Sequence, residues 1–305
     1  MTEAIERFDC YGSRCAVLVM GNGGAGTAKQ AARQVRRRLL RWHERFSRFV
    51  PDSELSLVNA DPRARVRVTG TMARLAEAAV WAAEETGGLV DSTLVGEIES
   101  AGYVSDLGES LPLADAFRLA PERRPASPRA ERWWNDVRVD RAGLALERPP
   151  GLRLDSGGLA KGLFADLCAD LLADHHSFAI DCGGDIRLGG AGGVPRVVDV
   201  ASPFGDHVLH RYELSDGGVA TSGIGRRSWL DPSGAPAHHL LDPGTGAPAF
   251  TGVVQATALA PDAVAAETLA KAALLSGPDG ARRWLAHGGM LVFEDGSHEL
   301  IEARA

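Results

Sequence analysis

Asp155-Ser156-Gly157-Gly158-Leu159-Ala160-Lys161-Gly162 places an acid, a glycine pair and a lysine within eight residues. Leu152 to Leu154 lead into it, and Leu163, Phe164, Leu167 and Leu171 lead out of it at helical spacing, with Asp166 one turn on. The pattern predicts an acid at a strand end, a glycine pair at the turn and a lysine on the first helical turn. Such a joint offers backbone N–H groups, a helix N-terminus and one cation to an anionic ligand. An ordinary strand-turn-helix joint, whose glycines only permit the bend, fits the same residues. The first reading gains weight from three more polar-glycine turns downstream: Cys182-Gly183-Gly184-Asp185, Val219-Ala220-Thr221-Ser222-Gly223, and His238-His239-Leu240-Leu241-Asp242-Pro243-Gly244-Thr245-Gly246.

Upstream, Cys15 to Met20 reads as a buried strand, followed by Gly21-Asn22-Gly23-Gly24-Ala25-Gly26. Ala28, Ala32, Val35, Leu39, Trp42 and Phe46 then make one apolar helical stripe behind Thr27 as N-cap. Strand, G-x-G-x-x-G and helix suggest a dinucleotide fold, which requires a second parallel strand directly after the helix. Phe49-Val50-Pro51-Asp52-Ser53-Glu54-Leu55 has no strand run and is broken by proline, so the glycines read as a connector. Arg33, Arg36, Arg37, Arg41 and Arg45 read as the solvated face of that helix. Met72 to Glu85 predicts a second helix stopped at Gly87-Gly88, and Leu111 to Trp134 a surface excursion with little regular structure. Val137 to Leu146 predicts a hairpin, while Ser177 to Asp181, Val197 to Val200, Val253 to Leu259 and Met290 to Phe293 predict strands, the last closing the fold. Asp262 caps a helix from Ala263 to Leu275, which Gly277-Pro278 stops.

Helices and strands mix without βαβ alternation, so residues 1–305 read as a single α+β domain. With 45% hydrophobic residues the chain can bury a substantial core, and its formal charge of -7 argues against nucleic acid as a partner. Cys10, Cys15, Cys168 and Cys182 form no C-x-x-C pair, so reduced thiols are expected. No apolar run approaches membrane-helix length, and Met1 to Phe8 resembles no signal peptide, so the expected location is the cytoplasm. Across the four turns, hydroxyls (Thr221, Ser222), backbone donors, Lys161 and His239 suit a diphosphate ester with a proton transfer beside it. No G-x-S-x-G elbow is present, which disfavours a serine hydrolase.

In order, D-x-G-G-x-A-K-G from Asp155, I-x-x-G-G-D-I from Ile180, A-T-S-G from Ala220 and H-x-x-D-P-x-T-G-x-P from His239 resemble the ApbE-type flavin transferases. Phe46 to Ser56 with Asn59, and Gly87-Gly88-Leu89-Val90-Asp91, add to the likeness, which runs from about Tyr11 to Gly277. The resemblance implies a T-fold-related α+β fold whose two lobes enclose an FAD cleft. It also implies cleavage of FAD and attachment of FMN, through a phosphoester, to a Ser or Thr of an acceptor flavoprotein. By the same resemblance, His239 is the catalytic base with Asp242 in its motif; a turn histidine hydrogen-bonded to Asp242 is the alternative. Tyr11, Phe49, Leu89, Val90, Asp91, Asp155 and Lys161 match FAD-lining positions. Phe49 stands where the family usually has tyrosine, and Tyr11-Gly12-Ser13 where it has Met-Gly-Thr.

One departure concerns the metal. The family's A-D-x-x-A-T binds Mg²⁺ through Asp and Thr together with a backbone carbonyl that corresponds to Gly158. Here the segment reads Ala266-Glu267-Thr268-Leu269-Ala270-Lys271. Glutamate ligates hard cations, but lysine carries only donors. Glu267 and Lys271 are also spaced to pair on one helix face. Lys271 is therefore a candidate charge surrogate for the metal. Two other functions stay open: a flavin carrier with weakened catalysis, and an FAD pyrophosphatase in which water replaces the acceptor hydroxyl.

Overall fold

The computed structural model describes residues 2–105 and 110–304. It opens with a hairpin that the sequence did not announce. Strand β1 (Glu3–Cys10) pairs antiparallel with β2 (Ser13–Met20) in a register that sets Cys10 opposite Ser13. Only Tyr11 and Gly12 remain for the turn, and both have positive φ, 56° and 63°. A two-residue hairpin loop of this hand requires that conformation, which costs a tyrosine about 1 kcal/mol. Strand β1 is a half-exposed edge strand with polar residues on its outer face, so it carries no apolar run to mark it in the sequence.

The glycine run after β2 closes on itself through reciprocal backbone hydrogen bonds between Gly23 and Gly26. It delivers the chain into α1 (Ala28–Phe46), capped by Thr27 and Gln30 in a capping box. Next come α2 (Glu54–Ala60), capped by Ser53 within the stretch read as irregular, and then β3 (Arg65–Arg67) and α3 (Gly70–Glu85). The excursion after residue 110 contains two short helices besides irregular chain. They are part of the run α4 (Val95–Ser100), α5 (Leu113–Leu119) and a 3₁₀ turn at Trp133–Asp136. Strands β4 (Arg138–Asp140) and β5 (Ala145–Glu147) form the predicted hairpin, and α6 (Ala160–Ala169) carries Lys161 on its first turn.

The second half supplies β6 (Ser177–Cys182), β7 (Asp185–Gly189), β8 (Arg196–Ala201), β9 (Val208–Leu214) and β10 (Gly217–Gly223). It continues with β11 (Ser228–Leu230), β12 (Pro236–His238), β13 (Val253–Ala260) and α7 (Ala263–Leu275). Helix α7 ends at Leu275, as its sequence predicts; Gly277, at φ 68°, breaks it from the short α8 (Gly277–Ala281), and β14 (Gly289–Phe293) is succeeded by β15 (His298–Ile301).

Eight strands make one antiparallel sheet in the order β1-β2-β6-β7-β10-β13-β14-β15. This antiparallel order removes the dinucleotide-fold reading of the first glycine run. Helices α1, α6 and α7 lie in a row on one face, with α6 touching both neighbours. The β8–β9 hairpin packs Val198 and Val200 on the other face. In β10, Ala220 faces α7 and its neighbour Val219 faces the hairpin side, as strand alternation demands. Thr221 and Ser222 therefore belong to a central strand and not to a turn, which corrects the sequence reading. Among the described residues, no helix is long and apolar enough to cross a membrane.

Candidate active site

Residues 152–155 have no strand partner, so the predicted strand end is instead an extended segment pinned by side chains. Asn59 brackets Leu154, donating to its carbonyl at 2.8 Å and accepting from its N–H at 2.9 Å. The Asp155 N–H donates to the Ser92 carbonyl, and Ser156 Oγ donates to the Phe46 carbonyl at 2.7 Å. Phe46 ends α1, so the turn is fastened to that helix. Its Gly157-Gly158 backbone then lies along the wall of a cavity of about 320 Å³. That volume is at the lower end for small-molecule sites.

The cavity brings together Tyr11, Phe49, Leu89, Val90, Asp91, Asp155, Gly158, Lys161, His239 and Lys271, which the sequence had singled out. Thr221, Ser222, Asp242 and Glu267 do not line it. Thr221 Oγ1 bonds Thr257 Oγ1 at 2.9 Å within the sheet, on the face away from α7, and Ser222 is buried in β10. Asp242 builds the turn instead of touching His239. Its Oδ1 accepts from the Ser127 and Gly244 N–H groups and its Oδ2 from Thr245 Oγ1. We expect Asp242→Ala to cost about 1–3 kcal/mol, because three partly buried donors lose their charged acceptor. Urea unfolding checks this, and an unchanged midpoint would remove the anchoring role.

Arg48, Tyr103 and Arg227 also line the cavity, although the sequence reading had not chosen them. The Arg48 guanidinium carbon lies 4.3 Å from the Phe49 ring centroid and 4.7 Å from that of Tyr103. Its Nη2 donates to the Tyr103 carbonyl, and its Nε is 3.4 Å from Asp155 Oδ1. Tyr103 in turn stacks on Trp229 at 5.3 Å. One wall is thus a ladder of flat groups suited to a planar ring system. The aromatics flanking Arg48 in sequence were the available signal; Arg227, which donates to the Tyr11 carbonyl, had none.

The polar wall holds cations seated on carboxylates. Lys161 forms an ion pair with the fully buried Asp185 behind it. Burial pulls the Lys161 ammonium down, but Asp185 and Glu267 outweigh it, so the group stays charged. Lys271 Nζ donates to Glu267 Oε1 at 3.0 Å, while Glu267 Oε2 accepts from the Gly162 N–H at 2.8 Å. Asp91 Oδ1 is taken by Thr93, and its buried Oδ2 has no partner among the described residues. Burial raises the Asp91 carboxyl above its ordinary range.

The two consecutive histidines part company where β12 ends. His238, the last residue of β12, packs edge-on against Phe250 in the core, and burial lowers its pKa to about 3. His239 enters the cavity, and its Nδ1 lacks a partner among the described residues. Burial pushes its imidazole well below the ordinary histidine range, and the nearby charges of Arg227, Lys271 and Lys161 push the same way. A neutral imidazole among cations can accept a proton from a hydroxyl whose oxygen is attacking an anion.

The implied Mg²⁺ does not fit these residues. Both Glu267 oxygens already accept hydrogen bonds, Lys271 has no lone pair to offer when charged, and Thr268 Oγ1 donates to the Val264 carbonyl. No group of three His, Cys, Asp or Glu residues suited to a metal occurs among the described residues.

Comparison with known proteins agrees with this geometry. The chain is 29% identical over 288 residues to the FAD:protein FMN transferase of Treponema pallidum, covering 87% of this chain and 76% of that protein. It is 30% identical over 182 residues to the enzyme of the same name from Vibrio cholerae, covering 55% of this chain and 54% of that one. The crystal structure of the ApbE protein from Thermotoga maritima superimposes with a TM-score of 0.80 at 26% identity, covering 99% of this chain and 97% of the other. The model of the ApbE family matches residues 11–293, nearly the whole sequence, and the chain belongs to that family.

Proposed function

We propose that this protein transfers FMN from FAD to a serine or threonine hydroxyl of an acceptor flavoprotein. The observation that carries the reading is one cavity that joins an aromatic wall, a row of cations and an uncharged histidine whose Nδ1 has no partner among the described residues. The isoalloxazine ring lies along Phe49, Leu89 and Val90, and Asp91 and Asp155 accept hydrogen bonds from polar groups of the flavin dinucleotide. Tyr11 contributes its backbone and ring edge, since its hydroxyl already donates to the Leu39 carbonyl. Lys161, Lys271 and Arg227 face the diphosphate. The acceptor oxygen bonds to the FMN phosphorus, and its proton passes to His239. The bridging oxygen leaves with AMP and takes the bond pair. Four buried, unpaired thiols suit a reducing compartment such as the cytoplasm.

Incubation with FAD and a candidate acceptor, followed by mass analysis, tests the reading. Acceptor carrying FMN, with one AMP released for each, is the expected result. Free FMN and AMP alone would identify a pyrophosphatase, and intact bound FAD a carrier.

The pH dependence follows from His239. Its pKa in the folded protein lies well below the ordinary value, so the base stays unprotonated through neutrality and loses function only in acid. We expect the acidic limb of kcat/KM for transfer, which reports the free enzyme, to lie below the ordinary histidine range. A limb at or above the ordinary histidine value would contradict a buried neutral base.

A further inference from the structure

We infer that the Lys271 ammonium, held by Glu267 beside Gly158, serves as this protein's built-in cation for the diphosphate, so that FAD binding requires no divalent metal. The inference rests on the proposed FAD site but has a readout of its own.

The geometry carries it. Lys271 lies in α7 and lines the cavity, and its Cε lies 3.7 Å from where a Cβ on Gly158 would sit. The open side of the Gly157-Gly158 turn is therefore occupied by this side chain. One ammonium hydrogen is committed to Glu267, leaving the others for a ligand. Glu267 is fully buried and gives its second oxygen to the first turn of α6. That bond fixes the carboxylate, and the carboxylate fixes Lys271. Lys161 repeats the device one helix away, with Asp185 as its fixed base. Two ammonium groups, one on α6 and one on α7, thus face the same space.

A lysine is a weaker point charge than Mg²⁺ but does not dissociate. Seated in a partly enclosed cavity, it attracts the diphosphate more strongly than in open water. It stabilises the negative charge that AMP carries away and needs no metal to be loaded first.

The test measures FAD affinity by flavin fluorescence on the full chain, in excess EDTA and in millimolar MgCl₂, with metal analysis of the purified protein. We expect the two affinities to agree within about twofold and no stoichiometric metal. Lys271→Met, similar in length but uncharged, should weaken FAD binding roughly tenfold in both conditions. Glu267→Asp with Lys271→Thr exchanges the ammonium for two oxygen ligands. It should bind FAD poorly in EDTA and regain affinity with Mg²⁺. Thermal melting monitors folding, and if the double variant does not fold, Lys271→Met decides. Wild-type affinity that drops tenfold in EDTA, or Lys271→Met binding FAD as the wild type does, would overturn the inference. Absence of FMN transfer alongside metal-independent FAD binding would sink the transferase reading and leave this one standing.

Discussion

Replacement of His239 by alanine is expected to lower FMN transfer by about 10²- to 10⁴-fold, the usual contribution of a positioned general base, while FAD affinity changes little. The expectation follows from what surrounds the ring. Its Nδ1 has no partner among the described residues, and burial together with Arg227, Lys271 and Lys161 keeps the imidazole uncharged. An uncharged ring adds little attraction for an anionic diphosphate, so its removal affects the chemical step more than binding. The neighbouring His238→Ala separates a local role from loss of fold. That ring packs against Phe250 outside the cavity, so its loss should show chiefly as a lower melting temperature. Single-turnover transfer and FAD titration on both variants decide the matter. Transfer by His239→Ala within about threefold of the wild type would remove the base from the mechanism.

Gly162→Ala is expected to destabilise the protein by about 1–3 kcal/mol or more, the range for overpacking a close contact. On an isolated helix the same change would be favourable by about 1 kcal/mol. The tertiary contact reverses the sign. A Cβ at position 162 would stand 2.6 Å from the Ala263 carbonyl oxygen, 2.7 Å from its carbon and 2.9 Å from Val264 Cα. These are backbone atoms of the first turn of α7, and they cannot rotate away. Asp166 ties the same two helices by accepting from the Ala263 and Val264 N–H groups, both at 2.9 Å. Separating α6 from α7 would also break the bond from Gly162 to Glu267 and move Lys161 away from Lys271. Denaturant unfolding should show the loss, and FAD titration should show weaker binding in the fraction still folded. A midpoint equal to that of the wild type would mean that the two helices pack less tightly than described.

The residues that the sequence made legible are those whose geometry is set by close neighbours. The Thr27 cap and apolar stripe of α1, the Asp262 cap of α7 and the glycine turn ahead of α6 were readable because caps, stripes and turns span only a few positions. Lys161, His239 and the Glu267–Lys271 pair were found for the same reason, each inside a short motif. The misread positions lie where long-range pairing overrules local pattern. Thr221 and Ser222 carry turn-like residues beside glycine, yet they sit in β10, paired with β7 and β13. The strand β1 has a polar outer face and gains its order from pairing with β2 and from packing against α1.

The α+β class, the glycine turn ahead of α6 and the short motifs that hold His239, Glu267 and Lys271 were legible in the sequence, because each is encoded over one or two turns of chain. Which of these groups share a cavity was decided by tertiary structure. The bond from Ser156 to Phe46 spans 110 positions, that from Gly162 to Glu267 105, and that from Arg227 to Tyr11 216. No local pattern specifies contacts of that separation. They form because one antiparallel sheet buries one face against a row of helices, and burying that face sets the ends of those helices side by side.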